Sequence, residues 1–493
     1  MLTRRNLFIA GAAAGGSLLI PAGNAVLAGT ARGAESGVRP ATGHVHGSTG
    51  AGPATAPGTA PMVDPFTVRM PIPPVLAPVR SLGATHYYHI PIRPANVEIF
   101  PGSRTSVLSY GGGFVGPTIR VRRGRAAKVR FVNELGMPAN VHLHGGHVSP
   151  DNDGHPMDLI GPGHSRVYEY PNQQHATTLW YHDHSHHMEA EHVYRGLHGF
   201  YLIEDEAERR LRLPSGAYDV PIMLREARFD EQAQLHFDPF DFERPTVLVN
   251  GRPQPYFPVA ARRYRFRLLN ASTHGSYTLS LDGAKMVQIG SDGGLLTEPV
   301  ELAELVLGPA ERADIVIDFS RLRPGQRAML ANAAGPVLRF DVIRRARDDS
   351  RVPDRLNWLA PLPRASRHRT VTFSTDFENI RSLINGKEYD PERIDFRVKH
   401  GTSEIWTIEN VDTDFGGVDH TFHMHLVQFR VLERNGAPPA PSEAGLKDTV
   451  LLRPGERVRI MAHFRGQLGR YVYHCHMLEH SAFGMMAQFE VVR

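Results

Sequence analysis

Cysteine is nearly missing from this chain. Cys475 is the only one in 493 residues, so no intramolecular disulfide can form. A strong charge of one sign is missing too, since the formal net charge is only +4. Arginine outnumbers lysine, but the basic residues are scattered and no nucleic-acid motif accompanies them, which argues against a nucleic-acid partner. Beyond the N-terminus there is no long apolar run, and so no second candidate for a membrane span. What is present is a 41% hydrophobic chain, ample for several cores. Its length suggests about three domains.

The first residues read as an export signal. Thr3-Arg4-Arg5-Asn6-Leu7-Phe8 is a twin-arginine pattern, followed by an apolar Gly/Ala-rich run from Ile9 to Ile20. That run is short for a bilayer crossing, so cleavage after Val26-Leu27-Ala28 is expected rather than a permanent anchor. The expectation is a signal peptide over 1–28, delivery by the twin-arginine machinery, and a periplasmic, cell-surface or extracellular product with no stable membrane span. Residues 29–61 are rich in Gly, Ala, Thr and Pro and read as a disordered linker. His44 and His46 fall there and are read as tail residues, not ligands.

The rest is β-rich. Short Val/Ile/Phe/Tyr/Thr runs alternate with Gly/Pro turns, the pattern of β-sandwiches. A strand ending in asparagine recurs three times, as Lys128–Asn133, Tyr264–Asn270 and Glu404–Asn410, and each unit closes on a similar strand (199–204, 338–343, 487–492). The expected fold is all-β, with three sandwich domains at 62–210, 215–346 and 366–493 and a charged, Pro-containing linker at 347–365.

The lone cysteine stands in a run of metal-ligand types: His474, Cys475, His476, then His480 and Met485. A thiolate, two imidazoles and a weak axial thioether are the ligands of a blue-copper electron-transfer site. In a strand alternate side chains point to opposite faces. If Cys475 faces one metal, His474 and His476 together face away from it, and one tripeptide can link two metal sites. With 27 histidines, about one or two His-x-His pairs would arise by chance. Four occur in ordered places, His142/His144, His182/His184, His423/His425 and His474/His476, the last three in aromatic or β-branched surroundings. Each pair puts both rings on one strand face. Two pairs fall in the first unit and two in the third. A cluster built from both must lie where those units meet, with the middle unit as a spacer.

With these motifs in order, the chain resembles the three-domain multicopper oxidases, specifically the bacterial spore-coat laccase and bilirubin oxidase branch. The resemblance covers nearly everything after the linker. It rests on His142-Leu143-His144-Gly145, Trp180-Tyr181-His182-Asp183-His184, His420-Thr421-Phe422-His423-Met424-His425, and His474-Cys475-His476 through His480 to Met485. Asp153-Gly154-His155-Pro156, Arg263–Arg267 and Gly290–Gly294 point to the same branch. The resemblance implies cupredoxin-like Greek-key domains and four copper ions per chain. It implies type 1 copper at His420, Cys475 and His480 with Met485 axial, and type 2 copper at His142 and His423. The type 3 pair would be held by His144, His182 and His476 and by His184, His425 and His474. It further implies that electrons from a small aromatic donor pass from Cys475 through His474 and His476 to the cluster, where dioxygen is reduced.

Asp153 matches an acidic residue near the type 2 copper. It is the candidate for positioning water or passing protons, against a purely structural ion-pairing role. The related laccases carry a glutamate directly after the histidine that here is His480, thought to help deliver protons; this chain has Ser481. Glu479 would face the opposite way if that segment were extended. His186, His187 and His192, with Glu189 and Glu191, read as a solvated helix face, with an extra copper-loading patch as the other reading. One of His147, His155 and His164 is a candidate for contacting a ligand imidazole. Met424 and Met486 read as core.

The expected activity is laccase-like oxidation of phenols or aromatic amines. The alternative is a cuprous oxidase for copper tolerance, whose members tend to carry a methionine-rich insertion over the type 1 site. The 14 methionines here are spread out, and Val427–Lys447 contains none. A copper-free scaffold is argued against by retention of ten histidines with Cys475. A two-site nitrite reductase would lack the His182/His184 pair.

Overall fold

The computed structural model describes residues 61, 63–361 and 363–493, and the side chain of Phe415 is not described. The export signal and nearly all of the linker, with His44 and His46, lie outside the described residues. The chain is all-β, as expected. Six sheets form, two in each of three stretches: Arg80 to Glu204, Asp219 to Arg345, and Ala365 to Val492. The helices are short, the longest near the site being Glu189–Arg195. Among the described residues no helix is long and apolar enough to cross a membrane. The described residues of 346–364 contain neither helix nor strand.

The recurrent asparagine strand has the same place in each stretch. It runs parallel to the first long strand of its sheet and antiparallel to a later one: Ala126–Asn133 lies between Thr85–Val97 and Ser165–Tyr170. Arg263–Asn270 lies between Asp219–Ala227 and Arg312–Asp318. Thr402–Asn410 lies between Ala365–Asp376 and Arg457–Phe464. The closing strands repeat as well, each pairing parallel to an earlier strand of the second sheet.

The three asparagines have one structural job. All are buried. Each accepts the N–H of the residue two positions on: Leu135, Ser272 and Asp412. Each side-chain amide donates to two backbone carbonyls, those of Met137 and Ile160, Gly275 and Leu307, and Val418 and Leu452. An asparagine supplies two donors and an acceptor on one short side chain. It thereby satisfies the backbone where the chain leaves the sheet, which buried polar groups require.

Alternation along Arg263–Asn270 sorts two environments. Tyr264, Phe266 and Leu268 enter the apolar core of the middle stretch. Arg265 and Arg267 face the other way, buried against Asp314, Asp219 and Glu208. Arg267 also donates to Thr178 of the first stretch at 3.0 Å, so this face is an inter-unit seam. Gly293 shows how tightly the seam closes. A side-chain carbon there would meet Leu446 Cβ at 2.4 Å, while its N–H donates to the Leu446 carbonyl at 2.7 Å.

Candidate metal centre

The paired strands bring the histidine motifs together two by two. His142–His144 lies antiparallel to Thr177–His182, with His142 opposite His182. His420–Met424 lies antiparallel to Gly469–Cys475, with His423 opposite His474 and Phe422 opposite Cys475. Period-2 alternation then does as expected: His474 and His476 point one way and Cys475 the other. All ten predicted ligand histidines and Cys475 are buried.

They assemble into groups whose donor atoms all lie within 4.8 Å of one another. These are His142, His144 and His423; His144, His182 and His476; His184, His425 and His474; and His420, Cys475 and His480. The first three share residues of the first and third stretches and form one body of eight imidazoles. The rings stack face to face across the junction, His142 on His425 with centroids 3.8 Å apart and His144 on His423 at 3.7 Å. His184 and His474 approach through their Nε2 atoms at 3.2 Å, His182 and His476 at 3.4 Å.

In the fourth group Cys475 Sγ lies 3.6 Å from Nδ1 of both His420 and His480. The Thr421 N–H donates to this sulfur at 3.4 Å, and the Cys475 N–H donates to the Met485 carbonyl at 3.1 Å. Met485 is buried in the same core cluster as Cys475. Met424 lies in that core too, and Met486 is fully buried.

Seven of the ten rings have one nitrogen held from behind by a carbonyl or carboxylate; His184 Nδ1, His476 Nδ1 and His480 Nε2 have no such partner. Nδ1 of His142, His182, His423 and His474 faces the carbonyls of Asp153, Asp183, Asp448 and Cys475 at 2.5–2.8 Å. His425 Nδ1 faces Asp153 Oδ2 at 2.7 Å, His144 Nε2 faces Asp448 Oδ1 at 3.0 Å, and His420 Nε2 faces Asp412 Oδ2 at 2.9 Å. The other nitrogens of His142, His144, His423 and His425 are buried without any partner. Burial pushes the cluster imidazoles well below their ordinary pKa, His182 to about 4 and His474 to about 3, with neighbouring rings adding to the effect for His142 and His184. His420 differs. Burial pulls it down, but hydrogen bonds to Asp412 and Cys475 carry it up to about 9. Buried neutral imidazoles with one nitrogen anchored and the other unsatisfied are what a metal ion requires. A thiolate with two imidazoles suits copper.

Asp153 sits on a short turn of helix, Pro150–Asp153, closed by Gly154 in the left-handed region at φ 78°. A side-chain carbon at Gly154 would meet the Val141 carbonyl oxygen at 2.1 Å, so glycine is what lets Asp153 approach His142. The carboxyl is buried and raised well above the usual carboxylate range by that burial, with Asp158 adding. Oδ2 accepts from His425 and Oδ1 has no partner.

Three expectations need correction. The segment after His184 is only partly a solvated face: His187 and Glu191 are exposed, but Glu189 is 0% and His192 2% exposed, because the helix packs against Leu478–Ala482. His186 and His187 have rings 3.7 Å apart, but neither joins a three-donor group among the described residues. The segment around Glu479 is helical rather than extended. Its buried carboxylate is held by Arg244 and Thr273, both from the middle stretch. His147, His155 and His164 bond to Arg465, Gln488 and Pro162 rather than to a ligand ring.

Sequence patterns missed Asp412, Asp448 and Arg312. Arg312 is 1% exposed and grips Asp448 with both terminal nitrogens at 2.6 Å. Its Nε donates to the Thr178 carbonyl of the first stretch at 3.0 Å. Asp292 accepts the Arg312 N–H and takes Lys447 as an ion-pair partner at 3.1 Å. The middle stretch is therefore more than a spacer, since it holds the carboxylate that orients His144. The only sequence hint was Asp292 in the Gly290–Gly294 run.

Comparisons with known proteins agree with this architecture. Family models described as multicopper oxidase match residues 92–208, 228–347 and 350–493. The chain is 35% identical to a laccase of Bacillus subtilis, over 87% of this chain and 99% of the relative. It is 34% identical to a bilirubin oxidase of Albifimbria verrucaria, over 87% and 82% respectively. The crystal structure of a laccase from Pediococcus acidilactici superposes with a TM-score of 0.83 at 32% identity, covering 88% of this chain and 95% of that one.

Proposed function

Because the chain belongs to the multicopper oxidase family and is thus a copper-dependent, oxygen-using oxidoreductase of three cupredoxin-like domains, we propose that it is a laccase-like oxidase. It couples one-electron oxidation of phenolic or aromatic amine donors to four-electron reduction of dioxygen to water, with four coppers per chain. His420, Cys475 and His480 would hold the type 1 ion, with Met485 as a fourth candidate ligand. His142 and His423 hold type 2. His144, His182 and His476, with His184, His425 and His474, hold the type 3 pair. The domain spans 62–210, 215–346 and 366–493 follow the sequence repeat, and the twin-arginine pattern of Thr3–Phe8 supports export to the periplasm, cell surface or exterior.

The observation that carries this reading is the His474-Cys475-His476 tripeptide, whose sulfur joins one buried donor group while its imidazoles join another. When bound, copper supplies one-electron redox chemistry at the thiolate group and dioxygen reduction at the imidazole body. The chain supplies the covalent link between the two. It also excludes bulk water from both, and fixes seven of the ten rings through the carbonyls and carboxylates behind them. Asp153 serves as a positioning residue for His425, and its free Oδ1 can hold water or a proton beside His142.

The test compares oxygen uptake with a phenol, an aromatic amine, bilirubin and Cu(I), alongside copper content. Turnover with the organic donors at four coppers per chain is expected; turnover with Cu(I) alone would move the assignment to a cuprous oxidase. Asp153→Asn is expected to weaken copper retention by about 10–100-fold against a chelator, the usual cost of removing a carboxylate behind a ligand imidazole. Equilibrium dialysis measures it, and unchanged retention would remove Asp153 from this role.

A further inference from the structure

Glu189 is a buried acid with no positive partner. It is 0% exposed, at the start of the helix Glu189–Arg195, where that helix packs on Leu478–Ala482 through Ala190, Val193 and Leu478. Apart from Asp153, which is bonded to the His425 ring, the other buried acids near the site are differently placed: Glu479 has Arg244, Asp448 has Arg312, and Asp183 has His192 at 3.1 Å. Glu189 has only the Ser481 hydroxyl, 2.9 Å from Oε1, while Oε2 has no partner. The charged and titratable groups around it are Asp183, which disfavours its charge, His192, which favours it weakly from its own helix, and the neutral phenol of Tyr389. His192 is itself drawn up by Asp183 against its burial. Desolvation accordingly carries the Glu189 carboxyl up to about 8, so it is protonated at neutral pH.

Its surroundings satisfy both protonation states. Ser481 Oγ can donate to Glu189 Oε1 at 2.9 Å or to the Leu478 carbonyl at 3.1 Å. With Glu189 ionised, the hydroxyl points at the carboxylate. With Glu189 protonated, the carboxyl donates to Ser481 Oγ and the hydroxyl turns to Leu478. The group also stands between two predicted ligand segments, since Ser481 follows His480 and the Glu189 N–H donates at 2.9 Å to the carbonyl of Ser185, which follows His184. On the outer side Tyr389, whose buried hydroxyl has no partner, lines a cavity of about 690 Å³ with His186, His187, Glu191 and Phe483. Burial raises the Tyr389 phenol, and ionisation of Glu189 raises it further.

We propose that Glu189, held by Ser481 and immediately before Ala190 and Glu191 of the His186–Tyr389 cavity wall, is the carboxyl that stores and passes protons to the oxygen-reducing centre. Resting on the oxidase reading above, this fills from a different strand connection the place where related laccases put a glutamate after the type 1 histidine. Each proton consumed leaves the carboxyl O–H bond, and the carboxylate takes its replacement from solvent water through the cavity; no electron moves in this step.

The test uses Glu189→Gln in both metal-free and copper-loaded protein. In the metal-free wild type an infrared band of a protonated carboxylic acid should titrate near pH 8, and Glu189→Gln should remove it. Stability should follow. A carboxyl raised from 4.5 to about 8 stabilises fully below the lower value, and that contribution is lost as pH rises through the upper one. The melting temperature of the metal-free wild type should therefore fall between those values relative to Glu189→Gln. In the loaded enzyme, kcat with dioxygen should drop about a hundredfold, with anaerobic reduction of the visible band by donor unchanged. Should Glu189→Gln fold poorly, Glu189→Asp should retain copper yet turn over more slowly with a shifted pH profile. Unchanged kcat and pH profile in either variant, or no titrating carboxyl, overturns the proposal. Because the infrared titration needs no copper, failure of the oxidase reading would be visible separately, as absent oxygen uptake by the wild type.

Discussion

Arg312→Ala is expected to destabilise the protein by about 3–5 kcal/mol and to strip copper from the imidazole cluster. Removing one partner of a buried ion pair leaves the other charge uncompensated, and that is the size of the usual effect. Burial alone would lower the Arg312 pKa; Asp448 and Asp292 more than offset it. With the guanidinium gone, Asp448 would keep a hydrogen bond from Thr449 and its contact with His144, too little for a fully buried carboxylate. His144 would then lose its fixed orientation, and the Thr178 carbonyl would lose its link to the middle stretch. Chemical denaturation of the metal-free protein, with copper content after reconstitution, checks both parts. Adding Asp448→Asn to Arg312→Ala should recover part of the stability, because the unpaired charge is removed, but not the copper. A stable, fully loaded Arg312→Ala protein would mean that Asp448 does not depend on Arg312.

Cys475→Ser should abolish the intense visible absorption of copper–thiolate bonding and reduce oxidase turnover to background. Serine keeps the size of the side chain but replaces a soft thiolate by a hydroxyl that stays protonated at neutral pH, so the site loses the ligand that suits it to cycling between copper oxidation states. The imidazole body is built without the sulfur; His474 stays in place through the pairing of its strand, and His476 through its N–H on the Thr421 carbonyl at 2.6 Å. Three coppers per chain should therefore remain where the wild type holds four. Absorption spectroscopy, metal analysis and oxygen uptake decide the matter. A colourless wild type, or a Cys475→Ser protein with undiminished turnover, would refute the assignment of the sulfur site.

Much of this was legible in the chain itself. Period-2 histidine pairs in β-branched and aromatic surroundings placed both rings on one face, and the structure keeps all four pairs that way. The asparagine repeat was equally readable, because Asn133, Asn270 and Asn410 each solve the same local problem at a strand end. What escaped were the groups behind the rings. Asp448 lies 304 residues from His144, and Arg312 lies 136 from Asp448. No periodicity links such residues. Ser481 and Glu189, 292 residues apart, looked like a missing glutamate and a solvated helix face; they are neighbours in a dry seam.

Sequence alone settled the all-β class, the threefold repeat and the inventory of sulfur and imidazole donors, because strand alternation and turn chemistry act over a few residues. Only the tertiary structure decided which donors meet, which ring nitrogens are held from behind, and which buried acids carry a cation. Those depend on desolvation and on contacts between stretches distant in the chain, and a carboxyl such as Glu189 acquires its proton only when the fold takes it out of water.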